Sequence, residues 1–71
     1  MDLKWEDDFT IEVKILDGAA IISGNRAGLI SLANHLRLLA DEIPGSHIHL
    51  DQYNALEDGS AELILEKSVK Q

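Results

Sequence analysis

The chain has 71 residues, no cysteine and a formal net charge of −7, with 45% hydrophobic and 4% aromatic residues. That length allows one domain over residues 1–71, with a core expected over about 9–67. The missing cysteines exclude a disulfide framework and thiolate metal sites, and the apolar content argues against disorder.

The opening octet, Met-Asp-Leu-Lys-Trp-Glu-Asp-Asp, lacks both the basic n-region and the apolar h-region of a secretory signal. No apolar run approaches the ~20 residues that span a bilayer. A soluble, cytoplasmic protein that makes no membrane contact is therefore the expectation. Phe9, Ile11, Val13 and Ile15 then alternate with Thr10, Glu12 and Lys14, which predicts a half-buried strand over 9–16. Trp5, four residues before Phe9, would share its face if the strand extends backwards. Asp17-Gly18 between two apolar runs predicts a two-residue hairpin turn, with 19–23 as the returning strand.

The period changes after Ser23-Gly24-Asn25. Leu29, Leu32, Ala33, Leu36, Leu39, Ala40 and Ile43 follow helical spacing and predict one buried stripe, with Asn25 as N-cap and Ser23 as the alternative. Ile30 and Leu38 fall off that stripe, at the edge of the core or at a contact between copies. His35 is expected to face sideways or outward. Pro44-Gly45 ends the helix near 41–43. Gly24 and Gly28 at the strand-to-helix turn match neither phosphate-binding glycine pattern, and close helix-to-sheet packing accounts for them better. Ile48 and Leu50 alternate with His47, His49 and Asp51 in a third strand. A loop over 53–60 precedes a fourth strand over 61–67, with Ala61, Leu63 and Leu65 inward, and 68–71 is expected to fray.

The order is β-β-α-β-β, and one amphipathic helix covers only one face of a sheet. An α+β two-layer sandwich is the expected fold, an antiparallel sheet with one helix on one face. The uncovered face should carry Thr10, Glu12, Lys14, His47, His49, Asp51, Glu62, Ile64 and Glu66. From Leu38 to Glu66 the chain holds seven acidic residues and no Lys or Arg, which gives this region a single-sign field. Such a field attracts basic partners and disfavours nucleic acid. His47-x-His49-x-Asp51 is the one pattern with metal-ligand character, since alternate residues of a strand point the same way. It supports an alternative reading as a small metal-binding protein or metal-dependent enzyme. No serine, histidine and acid spacing supports a catalytic triad, so a non-enzyme without cofactor is expected.

Three segments in order, Ser23-Gly24-Asn25 with Gly28-Leu29 and Leu32-Ala33, His47-Ile-His49-Leu-Asp51, and Asp58-Gly59-Ser60-Ala-Glu62-Leu-Ile64, resemble the immunity protein 32 family of bacterial polymorphic toxin systems. The resemblance covers roughly residues 21–66. It implies a cytoplasmic protein that protects its producer by binding a cognate toxin, often a nuclease, encoded by the neighbouring gene. Toxins that act on nucleic acids are commonly basic, and an acidic inhibitor gains association rate from the complementary field. The partner-binding residues expected on this reading are His47, His49, Asp51, Tyr53, Glu57, Asp58, Glu62 and Glu66. A homodimer through a sheet edge, or through Ile30 and Leu38, is the remaining alternative.

Overall fold

A computed structural model describes residues 2–70; Met1 and Gln71 lie outside the described residues, Gln71 with the last position of the segment expected to fray. Strands β1 (Ile11–Leu16) and β2 (Ala19–Gly24) pair antiparallel, from Ile11 opposite Gly24 to Leu16 opposite Ala19. Asp17 and Gly18 join them with φ of 50° and 80°, and two positive φ values in a row are what a type I′ turn requires. The strand starts at Ile11, two residues later than its alternation suggests. Asp8 takes a φ of 60°, and Asn25 holds the preceding segment in a bend by accepting from the Thr10 N–H and donating to the Asp8 carbonyl. Trp5 consequently stacks on Phe9, ring centroids 4.6 Å apart, without extending the strand.

Helix α1 (Arg26–Ala40) begins at the predicted cap, where Asn25 Oδ1 accepts from the Gly28 N–H at 2.7 Å. Its end is closed by a group the helical pattern does not reveal. Lys67 Nζ donates to the carbonyls of Ala40 and Glu42 at 2.6 and 2.7 Å, placing a cation on the negative end of the helix. The buried face also differs from the expected stripe. Gly28, Ser31, Leu32, His35 and Leu39 are buried, whereas Leu29 and Leu36 are about half exposed and Ile43 is 76% exposed. The helix is rolled toward the N-terminal segment because that segment needs polar partners. Ser31 Oγ accepts from the Glu6 N–H, His35 Nε2 donates to the Lys4 carbonyl, and the Trp5 ring meets His35 edge-on at 4.1 Å. His35 is therefore fully buried, contrary to expectation.

Strands β3 (His47–Leu50) and β4 (Leu63–Glu66) form the second antiparallel pair, His47 opposite Glu66 and Leu50 opposite Leu63. The ladder continues past the strand ends through bonds from Gly45 to Lys67 and from Lys67 to Ser46. The two hairpins meet along β1. The Glu57 and Ala61 N–H groups donate to the carbonyls of Ile11 and Val13, and the Val13 N–H donates to Ser60 Oγ. Both sets of residue numbers rise together along this seam, so the approach to β4 runs alongside β1 in the same direction. Leu56 anchors the intervening loop in the core, 5% exposed. With it lie Ile11, Val13, Leu32, Leu39, Ile48 and Leu50, flanked by Leu3, Trp5, Phe9, Ala55, Ala61, Leu63 and Leu65. The α+β class and the order β-β-α-β-β are as expected, with the strands in two antiparallel pairs, β1 with β2 and β3 with β4.

Candidate interaction face

Strand alternation decides which side chains stand on the uncovered face. In β3 the buried residues are Ile48 and Leu50, so His47 and His49 point away from the core. In β4 the exposed residues are Ile64 and Glu66, opposite His49 and His47 respectively. Glu62, just before β4, reaches toward His49, with Nδ1 and Oε2 3.5 Å apart at the outer limit of a hydrogen bond. The two imidazoles meet edge to face at 4.9 Å, and His47 Nδ1 donates to the Gly45 carbonyl. The result is a short row of two rings and one isoleucine, with Glu62 and Glu66 beside it. On β1, Glu12 and Lys14 share this side and pair with each other at 3.5 Å.

The loop after β3 is built by side-chain bonds to its own backbone. Asp51 Oδ1 accepts from the Tyr53 N–H, and the Asp51 carbonyl accepts from the N–H groups of Asn54, Ala55 and Leu56. Asn54 closes the turn in both directions, accepting from the Asp51 N–H and donating to the His49 carbonyl. Gln52 Oε1 accepts from the Gly59 N–H and ties the far end of the loop. Asp51 is thus partly enclosed as a turn former, while Tyr53 projects into solvent, 88% exposed. Glu57 and Asp58 are exposed around the Asp58-Gly59 turn.

Of the eight partner-binding residues expected from the sequence, the structure brings His47, His49, Glu62 and Glu66 together on the sheet face. Asp51, Tyr53, Glu57 and Asp58 form the adjoining loop. Because the Asp51 carboxylate serves its own turn, it does not join the two rings. Among the described residues no three His, Cys, Asp or Glu side chains converge as metal ligands would. One element of the face escapes the strand pattern. A shallow groove lined by Thr10, Glu12, Ser23, Gly24 and Glu57 links the acidic loop to the first hairpin. It exists because the Glu57 N–H bonds to Ile11, a contact between distant parts of the chain that no local signal announces.

The fold is that of a small α+β protein, two antiparallel strand pairs with one helix. The family model for immunity protein 32 matches residues 20–68, and the chain belongs to that family. No curated protein and no solved structure matches it. Among the described residues no helix is long and apolar enough to cross a membrane.

Proposed function

We propose that this protein neutralises a cognate bacterial toxin in the cytoplasm by binding it, without catalysis of its own. The toxin would be a basic domain of nuclease type, and the uncovered sheet face with the 51–60 loop would be the contact. Membership of the immunity protein 32 family carries the reading, since a family of that description implies a toxin partner. The geometry supports the choice of surface. Interfaces place apolar and aromatic contacts at the centre and charges at the rim. Here His47, His49 and Ile64 on the strands and Tyr53 on the loop would supply the less charged middle, and Glu57, Asp58, Glu62 and Glu66 the rim. Asp51 contributes by holding Tyr53 and Asn54 in place.

The deciding experiment is co-expression with the toxin domain encoded by the adjacent gene. Cells carrying the intact protein should survive induction, and a stoichiometric complex should be recovered at low salt. Equal killing with and without it, and no complex at low salt, would overturn the reading.

A further inference from the structure

The first hairpin ends in an apolar edge that the toxin reading does not use. β2 pairs only with β1, so its outer edge has no backbone partner among the described residues. In a two-residue hairpin, bonded and non-bonded pairs alternate from the turn outward, starting with the bonded pair Leu16 and Ala19. The N–H and C=O groups of Ala20 and Ile22 therefore point to the free edge. Natural sheets guard such edges with lysine, proline or a bulge. This strand, Ala-Ala-Ile-Ile-Ser-Gly, has none of them. Apolar side chains flank it on both sides of the sheet. Leu16 and Ile21 stand on the uncovered face, 56% and 40% exposed, and Ile15 and Ile22 on the helix side, 60% and 40% exposed. The helix adds an exposed apolar stripe that starts at the end of β2. Leu29 lies over Gly24 at the strand's end, with Ala33 and Leu36 following along the helix, all three exposed.

Charge selects the occupant. From Gly18 to Leu36 the chain has no Asp or Glu and a single cation, Arg26, although the whole carries −7. A basic partner would gain no electrostatic attraction there. A second copy of this chain could approach without bringing carboxylate against carboxylate. Antiparallel pairing of β2 with its own copy is also self-complementary about a two-fold axis, the symmetry of most homodimers.

We propose that β2 pairs with β2 of a second copy, extending the sheet across the dimer and closing the Leu29, Ala33 and Leu36 stripe over the junction. Two six-residue edges plus the half-exposed Ile and Leu side chains would bury on the order of 1,000 Å² in total, the size of a weak, reversible interface. An axis perpendicular to the sheet leaves both uncovered faces on the same side of the dimer, with His47, His49, Ile64 and Glu66 of each copy away from the β2 junction. Self-association would strengthen with added salt, because screening relieves repulsion between two −7 chains. Toxin binding would weaken.

Sedimentation equilibrium combined with amide hydrogen exchange tests this on the intact chain. The expected result is a dimer at ~100 µM that tightens with salt, with protection of the Ala20 and Ile22 amides rising with protein concentration. Ile22→Lys and, independently, Leu36→Lys should weaken dimerisation at least tenfold while the far-ultraviolet dichroism is retained. A monomer over the whole concentration range would overturn the proposal. So would a dimer whose Ala20 and Ile22 amides stay unprotected. Protection of those amides only on adding the toxin would assign the edge to the toxin and equally overturn it.

Discussion

A methyl group at Gly28 would overlap the Thr10 carbonyl oxygen, and one at Gly24 would lie 2.8 Å from the same atom. These two glycines allow the helix start to press onto the N-terminal end of β1, and Asn25 locks the junction through bonds to Thr10, Asp8 and Gly28. On an unobstructed helix, glycine to alanine gains about 1 kcal/mol in propensity. Here the clash should reverse the sign. Gly28→Ala is expected to destabilise by about 2 kcal/mol, an overpacking cost with backbone as the obstacle. A urea midpoint equal to or above that of the parent would show that the helix is not seated on Thr10. His35 belongs to the same scale. A histidine one position from an apolar stripe reads as a surface residue; here the Lys4 carbonyl and the Trp5 ring partner its imidazole, while Nδ1 is buried without a hydrogen bond among the described residues, a cost the rest of the packing offsets.

The helix shows how an element can be correctly placed and wrongly turned. Its cap, its start and its end near Pro44 follow from local chemistry, whereas its buried face depends on what lies against it. Two apolar stripes run along α1, one through Leu32 and Leu39 and the other through Leu29, Ala33 and Leu36, and periodicity alone cannot rank them. The N-terminal segment ranks them by supplying backbone groups to Ser31 and His35. Truncating the two stripes should separate their roles. Leu32→Ala, at a site 7% exposed, is expected to cost about 2–4 kcal/mol, and Leu36→Ala, at 46% exposed, under about 1.5 kcal/mol. Thermal melts at low micromolar concentration, where a monomer predominates, give the comparison. Equal losses would restore the broad stripe that the periodicity suggests.

For the whole molecule, the relevant quantity is the distribution of the −7 charge. In the proposed contact the acids of β4 and the 51–60 loop form the rim and His47, His49, Ile64 and Tyr53 the less charged part, while the β2 strand carries no charged residue. Rim charges act mainly on encounter rate, and central contacts on residence time. Reversing Glu62 and Glu66 to Lys should slow toxin association about tenfold at low salt and flatten its salt dependence. Tyr53→Ala should chiefly speed dissociation. Stopped-flow association over a salt series, with dissociation followed by displacement, separates the two. Unchanged association of the charge-reversed variant at low salt would move the contact away from this face.

Sequence alone determined the features that rest on neighbours in the chain: the Asp17-Gly18 turn, the Asn25 cap, the β-β-α-β-β order and the outward direction of His47, His49, Ile64 and Glu66. Each follows from backbone sterics, capping chemistry or strand period, all of which act over a few residues. The motifs carrying the resemblance to the immunity protein family are local in the same sense. Only tertiary structure decided the roll of the helix, the burial of His35 and Leu56, the Lys67 cap on Ala40, and the seam that brings Glu57 beside Glu12. The hydrogen bonds behind the roll, the Lys67 cap and the seam join residues 25 to 48 positions apart, and in each a backbone group left unpaired by one segment finds its partner on another. Which apolar surface stayed exposed was settled the same way. A chain this short has only enough core to cover one end of its first hairpin, and the N-terminal segment took the side of the helix that faces away from β2.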